Sequence, residues 1–382
     1  MTALEPTTLL PDDPAGDRPL RLRRVTAEDT LSLGGSAIGA LALDWVLYER
    51  VLPFSGVLGF WLCWYLLFVV CYAAIGSLQW NRLAVRDRVV AVALTTAGLL
   101  AVALVIAQVG YTLVRGSTVV RHTSFFTQSM ADTAALSPLS SGGIEHALIG
   151  TLEQITMATV LAVPLGIAAA VYLAEVGGRA ARPVRTLVDA MTALPDIIAG
   201  LFILAFLVLT VGLPKSGFAA ALALGVTMLP IVTRASEAVL RIVPGTLREA
   251  SYALGGSQWR TVLFVVLPTA RSGLTTAVVL AVARGIGETA PPLLVAGYAV
   301  GVNTNAFKGW QTSLPVFIYY EILSPESNDH IRAFGGGFAL IILVLILFTI
   351  ARRLGGGAPG ELSRRQRRKI ARQATARGRT RA

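Results

Sequence analysis

The segment Thr246–Pro268, TLREASYALGGSQWRTVLFVVLP, is the longest polar, patterned piece between two strongly apolar runs of this chain. Its first four residues, TLRE, have the form of a capping box, in which the threonine and the glutamate cap a helix start. Leu247, Ala250 and Leu254 fall at i, i+3 and i+7, so they share one face of a short helix. The capping box predicts that Thr246 begins this helix, which is about two turns long.

A glycine pair divides the segment. Gly255 and Gly256 predict the end of the short helix, because glycine tolerates the left-handed conformation that helix C-termini favour. Ser257 can then cap a second helix, which continues through Trp259 and Val262 to the end of the segment. The pattern therefore predicts a helix, a glycine turn and a second helix between two membrane spans.

One motif in this segment resembles the EAA loop of bacterial ABC importer permeases, which follows the pattern E-A-A, three residues, G, nine residues, I-x-L-P. The matching residues are Glu249-Ala250-Ser251, Gly255 and 265–268 (VVLP), with serine for the second alanine and valine for the isoleucine. The resemblance implies that the short helix docks on a separate ATPase subunit. The residues it assigns to this coupling are Glu249, Ala250, Ser251, Leu254 and Gly255. The alternative is an ordinary capped loop helix.

The composition indicates an integral membrane protein. Of 382 residues, 54% are hydrophobic and 14% are charged, whereas soluble domains carry about 25% charged residues. The strict alternation of a β-barrel is missing, so the predicted class is all-α. The net charge is +11, but arginine is concentrated at both ends and in alternate loops, which is the positive-inside pattern. Anionic membrane lipids are therefore the expected partner of this charge rather than nucleic acid.

Cysteine and histidine give no sign of a metal site. Cys63 and Cys71 lie in one apolar run, too far apart along a helix to form a disulfide. The three histidines, at positions 122, 146 and 330, are scattered. We therefore expect no metal and no directly bound cofactor.

Eight apolar runs approach or exceed the ~20 residues that a helix needs to cross a bilayer. They are 31–52, 56–75, 89–114, 147–173, 187–213, 218–240, 272–296 and 337–350. Eight crossings place both termini on one side, together with the basic loops at 82–88, 179–185 and 241–260. The positive-inside rule makes that side cytoplasmic. The predicted location is the bacterial plasma membrane, with the chain crossing it several times.

Four regions are predicted along the chain. Residues 1–28 form a disordered cytoplasmic tail, and residues 29–77 form an N-terminal transmembrane hairpin joined by a turn at 53–56. Residues 78–353 form a permease core that contains the segment 246–268, and residues 354–382 form a basic cytoplasmic tail. The order of charged, apolar and small residues that marks a cleaved signal peptide is missing at the start.

Six further stretches resemble one branch of the same permeases, the phosphate-specific transport permeases. They are GTL at 150–152, PLGI at 164–167, YLAE at 172–175, LPDIIAGLF at 194–202, ARGIGETAP at 283–291 and SLPVFIY at 313–319. The resemblance extends over about residues 89–353 and implies a six-helix core of the type I ABC importer kind. Asp196 differs from the small polar residue that this family has in its place, and the sequence does not predict its effect.

Two charges in the seventh run are candidates for function. Arg284 and Glu288 are i, i+4, so they share a helix face. Charges at this depth cost several kcal/mol unless they are paired or solvated, and they mark substrate pathways in many transporters. Pro291-Pro292 is expected to interrupt the helix, as happens near transporter binding sites. The alternative is an ion pair that only neutralises itself.

The predicted substrate pathway combines this pair with neighbouring polar residues. Arginine suits phosphate because its planar guanidinium can donate two hydrogen bonds to one phosphate group. The candidates are Arg284, Glu288, Thr289, Asp196 and Arg234. Arg234 is also i, i+3 from Glu237, so the two could simply form a pair.

The sequence has no ATP-binding loop of its own. Its lysines are Lys215, Lys308 and Lys369, and none follows the glycine-rich pattern of a P-loop. ATP and magnesium are therefore expected on a partner ATPase, and the chain itself is not an enzyme. The phosphate-permease resemblance implies a paralogous permease subunit, an ATPase dimer and an external phosphate-binding protein as partners. Permeases for sulfate or molybdate, a non-transporting signalling or scaffold protein, and an autonomous secondary carrier remain the alternatives.

Overall fold

The computed structural model describes residues 27–51, 56–134 and 136–355, and every regular element in these ranges is helical. The chain forms two compact units, Met1–Ile106 and Ala107–Ala382, and the boundary falls inside one long helix. The predicted tails at 1–28 and 354–382 and the predicted turn at 53–56 lie outside the described residues, except at their inner edges. The domain boundary at residue 78 stays a prediction.

The first unit contains a helical hairpin, as predicted. Helix α1 is Ala27–Val46, followed by a π-helical turn at Leu47–Val51, and α2 is Val57–Gln79. The indole Nε1 of Trp64 donates a hydrogen bond of 3.1 Å to the Ala37 carbonyl, which ties the two helices together. The aromatic side chains of Phe68 and Tyr72 on α2 share a buried apolar cluster with Ala40 of α1.

The second unit begins within α3, Arg82–Val120, and holds the remaining helices. These are α4 Ser124–Thr127, α5 Glu145–Val171, α6 Ala181–Ala193, α7 Asp196–Ile203, α8 Gly217–Ile242, α9 Gly245–Ala253, α10 Gln258–Thr261, α11 Leu267–Ile286, α12 Ala290–Val295, α13 Leu314–Leu323 and α14 Ser327–Gly355. Single π-helical turns follow α5, α7 and α10, at Tyr172–Val176, Leu204–Thr210 and Val262–Val266. The last of these turns makes α10 and α11 one continuous helix.

The core of the second unit lies between α5 and α8, with α11 and α14 beside them. Its buried residues are apolar and include the alanines Ala158, Ala162, Ala221 and Ala281. Small residues let membrane helices approach closely and gain dispersion contacts. A Cβ atom on Gly166 would lie 2.7 Å from Val232 Cγ1, so glycine is required where α5 meets α8.

Most of the predicted runs appear as helices long enough to span a membrane. Among the described residues, six helices have the required length and hydropathy: α2, α3, α5 with its π-helical turn, α8, the continuous helix α10–α11, and α14. The bent pair α6 and α7 gives a seventh candidate. The first predicted run corresponds to α1, which is not among these helices and carries Glu28, Asp29 and Asp44.

The fifth predicted run is not one straight helix. The chain bends by 103° between α6 and the helix that starts at Asp196. Leu194 is extended, with φ −71° and ψ 130°, because a residue that precedes proline is disfavoured in the helical conformation. The bend gives α7 a direction far from that of α6.

The seventh predicted run also differs from its expected form. The helix ends at Ile286, and the chain continues through a break at 287–289 into α12. We expected Pro291-Pro292 to cause the interruption, and this was wrong. Both prolines lie in the first turn of α12, where their missing N–H groups cost nothing. The break itself falls at Gly287.

Candidate functional site

The break between α11 and α12 places two opposite charges side by side. Arg284 lies in the last turn of α11, and Glu288 follows in the break. The distance from Arg284 Nε to Glu288 Oε1 is 3.6 Å, so the predicted i, i+4 pair is present but loose. A third residue, Asp196, accepts a shorter hydrogen bond of 2.6 Å from Arg284 Nη2. The three side chains form a charge triad.

Asp196 is the closer partner of Arg284, although 88 positions separate them in the chain. It is the first residue of α7, where a carboxylate is favoured by the helix dipole. One sequence signal pointed to Asp196, which was a charge at a position that the family resemblance assigns to a small polar residue. Its partner could not be predicted, because the 103° bend before α7 determines which residue Asp196 meets.

The triad is partly open to solvent. The exposed fractions of the side chains are 53% for Arg284, 29% for Asp196 and 16% for Glu288. Arginine has five N–H donors, and Arg284 directs Nη2 and Nε at these two carboxylates. One guanidinium against two carboxylates leaves a formal charge of −1, so the carboxylates oppose an oxyanion that approaches Arg284.

Thr289 lies directly beside the triad. It precedes the first residue of α12, and its carbonyl accepts a hydrogen bond of 3.1 Å from the Leu293 N–H. Its side chain makes no capping hydrogen bond to this helix. The Thr289 hydroxyl, which follows Glu288 in the chain, is therefore not engaged in capping α12.

Two cavities flank this region and differ in character. A cavity of about 290 Å³ between α5, α11 and α14 is lined almost entirely by apolar side chains, among them Ile155, Val282 and Phe348. A much smaller cavity has a mixed lining, in which Gln154, Ser313 and Glu288 lie among apolar residues. The large cavity offers nothing that could balance an anionic charge. The charge triad is the better candidate for a substrate anion.

Arg234 belongs to a separate charge network near the end of α8. It contacts Asp189 of α6 and lies 3.1 Å from Glu237 Oε2, so the predicted i, i+3 pair is confirmed. Glu237 Oε1 also accepts bonds of 2.8 Å from Arg185 and 2.7 Å from Arg241. Within the described part of the chain, no ion pair joins this network to the triad. The pathway roles assigned to Arg234 and to the triad stay predictions.

The segment 246–268 forms two helices, as predicted, but the first one starts at a different residue. Helix α9 begins at Gly245 after Pro244, and no side chain caps it, so the predicted capping role of Thr246 was wrong. The helix starts two residues earlier than the capping box requires, which places the threonine inside its first turn. Gly255 has φ +79°, as expected of a helix-ending glycine, and Ser257 Oγ accepts the Arg260 N–H at 3.5 Å.

The predicted coupling residues stand on the surface. Leu247, Ala250 and Leu254 are all exposed, the last to 89%, and Glu249 is exposed beside them. The half-buried Ser251 faces inward, and its Oγ lies 2.8 Å from Thr261 Oγ1. Helix α9 contains no buried residue. Its apolar face is therefore available to another protein.

Comparison with known proteins agrees with this arrangement. The family model described as "Binding-protein-dependent transport system inner membrane component" matches residues 162–356. The Mycobacterium tuberculosis (strain CDC 1551 / Oshkosh) protein "Phosphate transport system permease protein PstA 1" is 42% identical over 250 residues, which cover 63% of this chain and 82% of the relative.

Two other relatives carry the name "Phosphate transport system permease protein PstA". The Mycobacterium leprae protein is 45% identical over 53% of this chain and 67% of its own length. The Haemophilus influenzae protein is 39% identical over 60% of this chain and 79% of its own length.

The matched region contains the charge triad and α9. The chain belongs to the family of inner membrane components of binding-protein-dependent transport systems, and within that family it is a PstA-type permease. It is a multi-pass membrane protein, in agreement with its apolar helices.

Proposed function

We infer that this chain is the permease subunit of an ATP-driven importer that moves inorganic phosphate across the bacterial plasma membrane into the cell. The observation that carries this inference is the 42% identity over 82% of a relative named as a phosphate transport permease. The charge triad supports it, because a phosphate ion in a low-dielectric layer needs a fixed cation beside it.

Arg284 is the phosphate-binding residue in this proposal. Its guanidinium is held by Asp196 at 2.6 Å and by Glu288 at 3.6 Å. Phosphate replaces the Asp196 carboxylate, because both groups compete for the same N–H donors. The Thr289 hydroxyl supplies a further hydrogen bond at this point. Arg234 then attracts the ion from the network at the end of α8.

The work of transport comes from partner subunits. The exposed helix α9 docks on an ATPase dimer of the PstB type, which binds ATP and magnesium, while this chain binds neither. A paralogous permease of the PstC type completes the path, and an external binding protein of the PstS type delivers phosphate. Both termini are cytoplasmic in this arrangement, and membrane lipids surround the helices.

Reconstitution of the complete complex in proteoliposomes tests this proposal. We expect labelled phosphate to accumulate only when ATP and magnesium reach the ATPase side. Preferred accumulation of sulfate or molybdate would reassign the cargo to another oxyanion. Accumulation without ATP would indicate a secondary carrier, and a complex that moves no oxyanion would indicate a scaffold.

A further inference from the structure

Helix α9 is attached to the rest of its unit by polar contacts rather than by a buried apolar face. None of its residues is buried, whereas the neighbouring ends of α5, α8 and α11 share a buried apolar cluster. A helix without a buried face gains little from the hydrophobic effect. A force applied to α9 therefore reaches the rest of the unit through the chain connections at its two ends and through its few specific side-chain bonds.

Arg248 makes most of these bonds. Its guanidinium binds Glu175 through both carboxylate oxygens, with Nε at 3.0 Å from Oε2 and Nη2 at 2.6 Å from Oε1. Nη1 donates to the Val243 carbonyl at 2.6 Å, and Nη2 also donates to the Leu240 carbonyl at 3.0 Å. One side chain thus joins α9 to the π-helical turn after α5 and to the end of α8.

The acceptor, Glu175, is a buried carboxylate that requires a positively charged partner. Its side chain is only 5% exposed, and a buried carboxylate is costly unless an opposite charge pairs with it. Gln258, which begins α10, donates a second bond of 2.7 Å to the Glu175 backbone carbonyl. The segments on both sides of the glycine turn are therefore fixed to the same end of α5.

We propose that Arg248 is the positioning residue that transmits movement of the docked ATPase from α9 to helices α5 and α8. This inference rests on the proposed function, because it assigns the link through which that function is driven. The fork of arginine is required, since a lysine ammonium is a point charge and cannot bind one carboxylate through two parallel bonds while also reaching two carbonyls. Arg248 acts through Glu175 and through the carbonyls of Leu240 and Val243 at the end of α8.

The test measures phosphate moved per ATP hydrolysed in proteoliposomes that contain the complete complex. We expect Arg248→Ala to lower this ratio by about tenfold, within the range of measured coupling between sites, while the ATPase still co-purifies and still hydrolyses ATP. Glu175→Gln should lower it in the same direction. Arg248→Lys should give an intermediate ratio. Arg182→Ala, which removes an exposed arginine of α6, should leave the ratio unchanged.

The ratio separates a positioning role from a merely structural one, because a smaller amount of folded complex lowers both quantities together. Wild-type ratios in both Arg248→Ala and Glu175→Gln would overturn the proposal, and so would loss of transport caused only by failure to bind the ATPase. Wild-type proteoliposomes that move no phosphate would instead count against the proposed cargo.

Discussion

At the scale of single residues, the triad makes a prediction that separates binding from simple neutralisation. Arg284→Gln should reduce the maximal rate of phosphate uptake at least about tenfold, because the anion loses its only guanidinium at this point. Asp196→Asn should keep most of the rate. The Arg284–Asp196 pair is half-exposed, so its loss costs about 1 kcal/mol or less, and Arg284 is freed for the substrate.

Initial uptake rates, normalised to the amount of the chain in the membrane, provide the measurement. Equal losses in Arg284→Gln and Asp196→Asn would mean that the two residues form a structural ion pair. A normal rate in both Arg284→Gln and Glu288→Gln would end the assignment of the triad to the substrate pathway.

A second residue, Glu321 of α13, predicts a pH effect on stability. Burial, and then the neighbouring Asp329, raise the pKa of its carboxyl to about 7 from 4.5. Its Oε1 accepts a bond of 3.1 Å from the Tyr298 hydroxyl. Because the folded pKa lies above the unfolded one, the stabilisation is complete below about pH 4.5 and is lost as the pH rises through about 7.

Glu321→Gln should remove this loss of stability at high pH, because glutamine cannot ionise. The variant should match the wild type in thermal stability near pH 5 and exceed it near pH 8, by an amount on the order of 3 kcal/mol. Thermal unfolding of the purified protein in detergent at both pH values provides the measurement. A variant that is less stable than the wild type at pH 8 would contradict the assignment.

At the scale of elements, α9 predicts a loss of function without a loss of stability. Leu254 is 89% exposed, so Leu254→Asp should change the free energy of unfolding by no more than about 0.5 kcal/mol. Uptake and co-purification of the ATPase should both fall strongly, because the docking face gains a charge. Leu136→Asp changes another leucine that is 80% exposed and should affect neither. Normal ATPase binding by the Leu254→Asp variant would show that α9 is not part of the docking surface.

Substitution at the contact between α5 and α8 should lower the stability of the protein, unlike substitution on α9. Gly166→Ala should destabilise the protein by about 1–3 kcal/mol, because its Cβ would lie 2.7 Å from Val232 Cγ1 and overpacking a core has this cost. Gly225→Ala of α8 is the matched control, since a Cβ there meets nothing within 4 Å. Thermal unfolding of both variants gives the comparison, and equal stabilities would show that the helices can separate freely.

Sequence reasoning found the helices of this fold well but not their breaks. Apolar runs define spans because a bilayer requires about 20 apolar residues, and the glycine turn at Gly255 followed from its backbone freedom. The bend before Asp196 and the break at Gly287 escaped prediction, although Pro195 and Gly287 are local signals for them. The Arg284–Asp196 bond could not be found, because its two residues lie 88 positions apart and the path of the chain between them decides whether they meet. In α9, the capping box misplaced the start because Pro244 occupies the preceding position.

At the scale of the whole molecule, the charge pattern predicts an orientation in the membrane. The basic loops at 82–88, 179–185 and 241–260 alternate with loops that are poorer in arginine, and the positive-inside rule places them in the cytoplasm. A reporter enzyme that is active only in the cytoplasm should therefore be active when it is fused after Ala382, and one that is active only outside the cell should be inactive there. An external reporter at this position would reverse the orientation and place α9 on the side away from ATP.

The central claim is that this permease carries phosphate, and uptake in cells tests it most directly. Labelled phosphate at low micromolar concentration is offered to cells that lack the chain and to cells that have regained it, with excess unlabelled sulfate as competitor. We expect uptake to return with the chain and to be unaffected by sulfate. Uptake that does not depend on the chain, in cells that express all partner subunits, would contradict phosphate as the cargo.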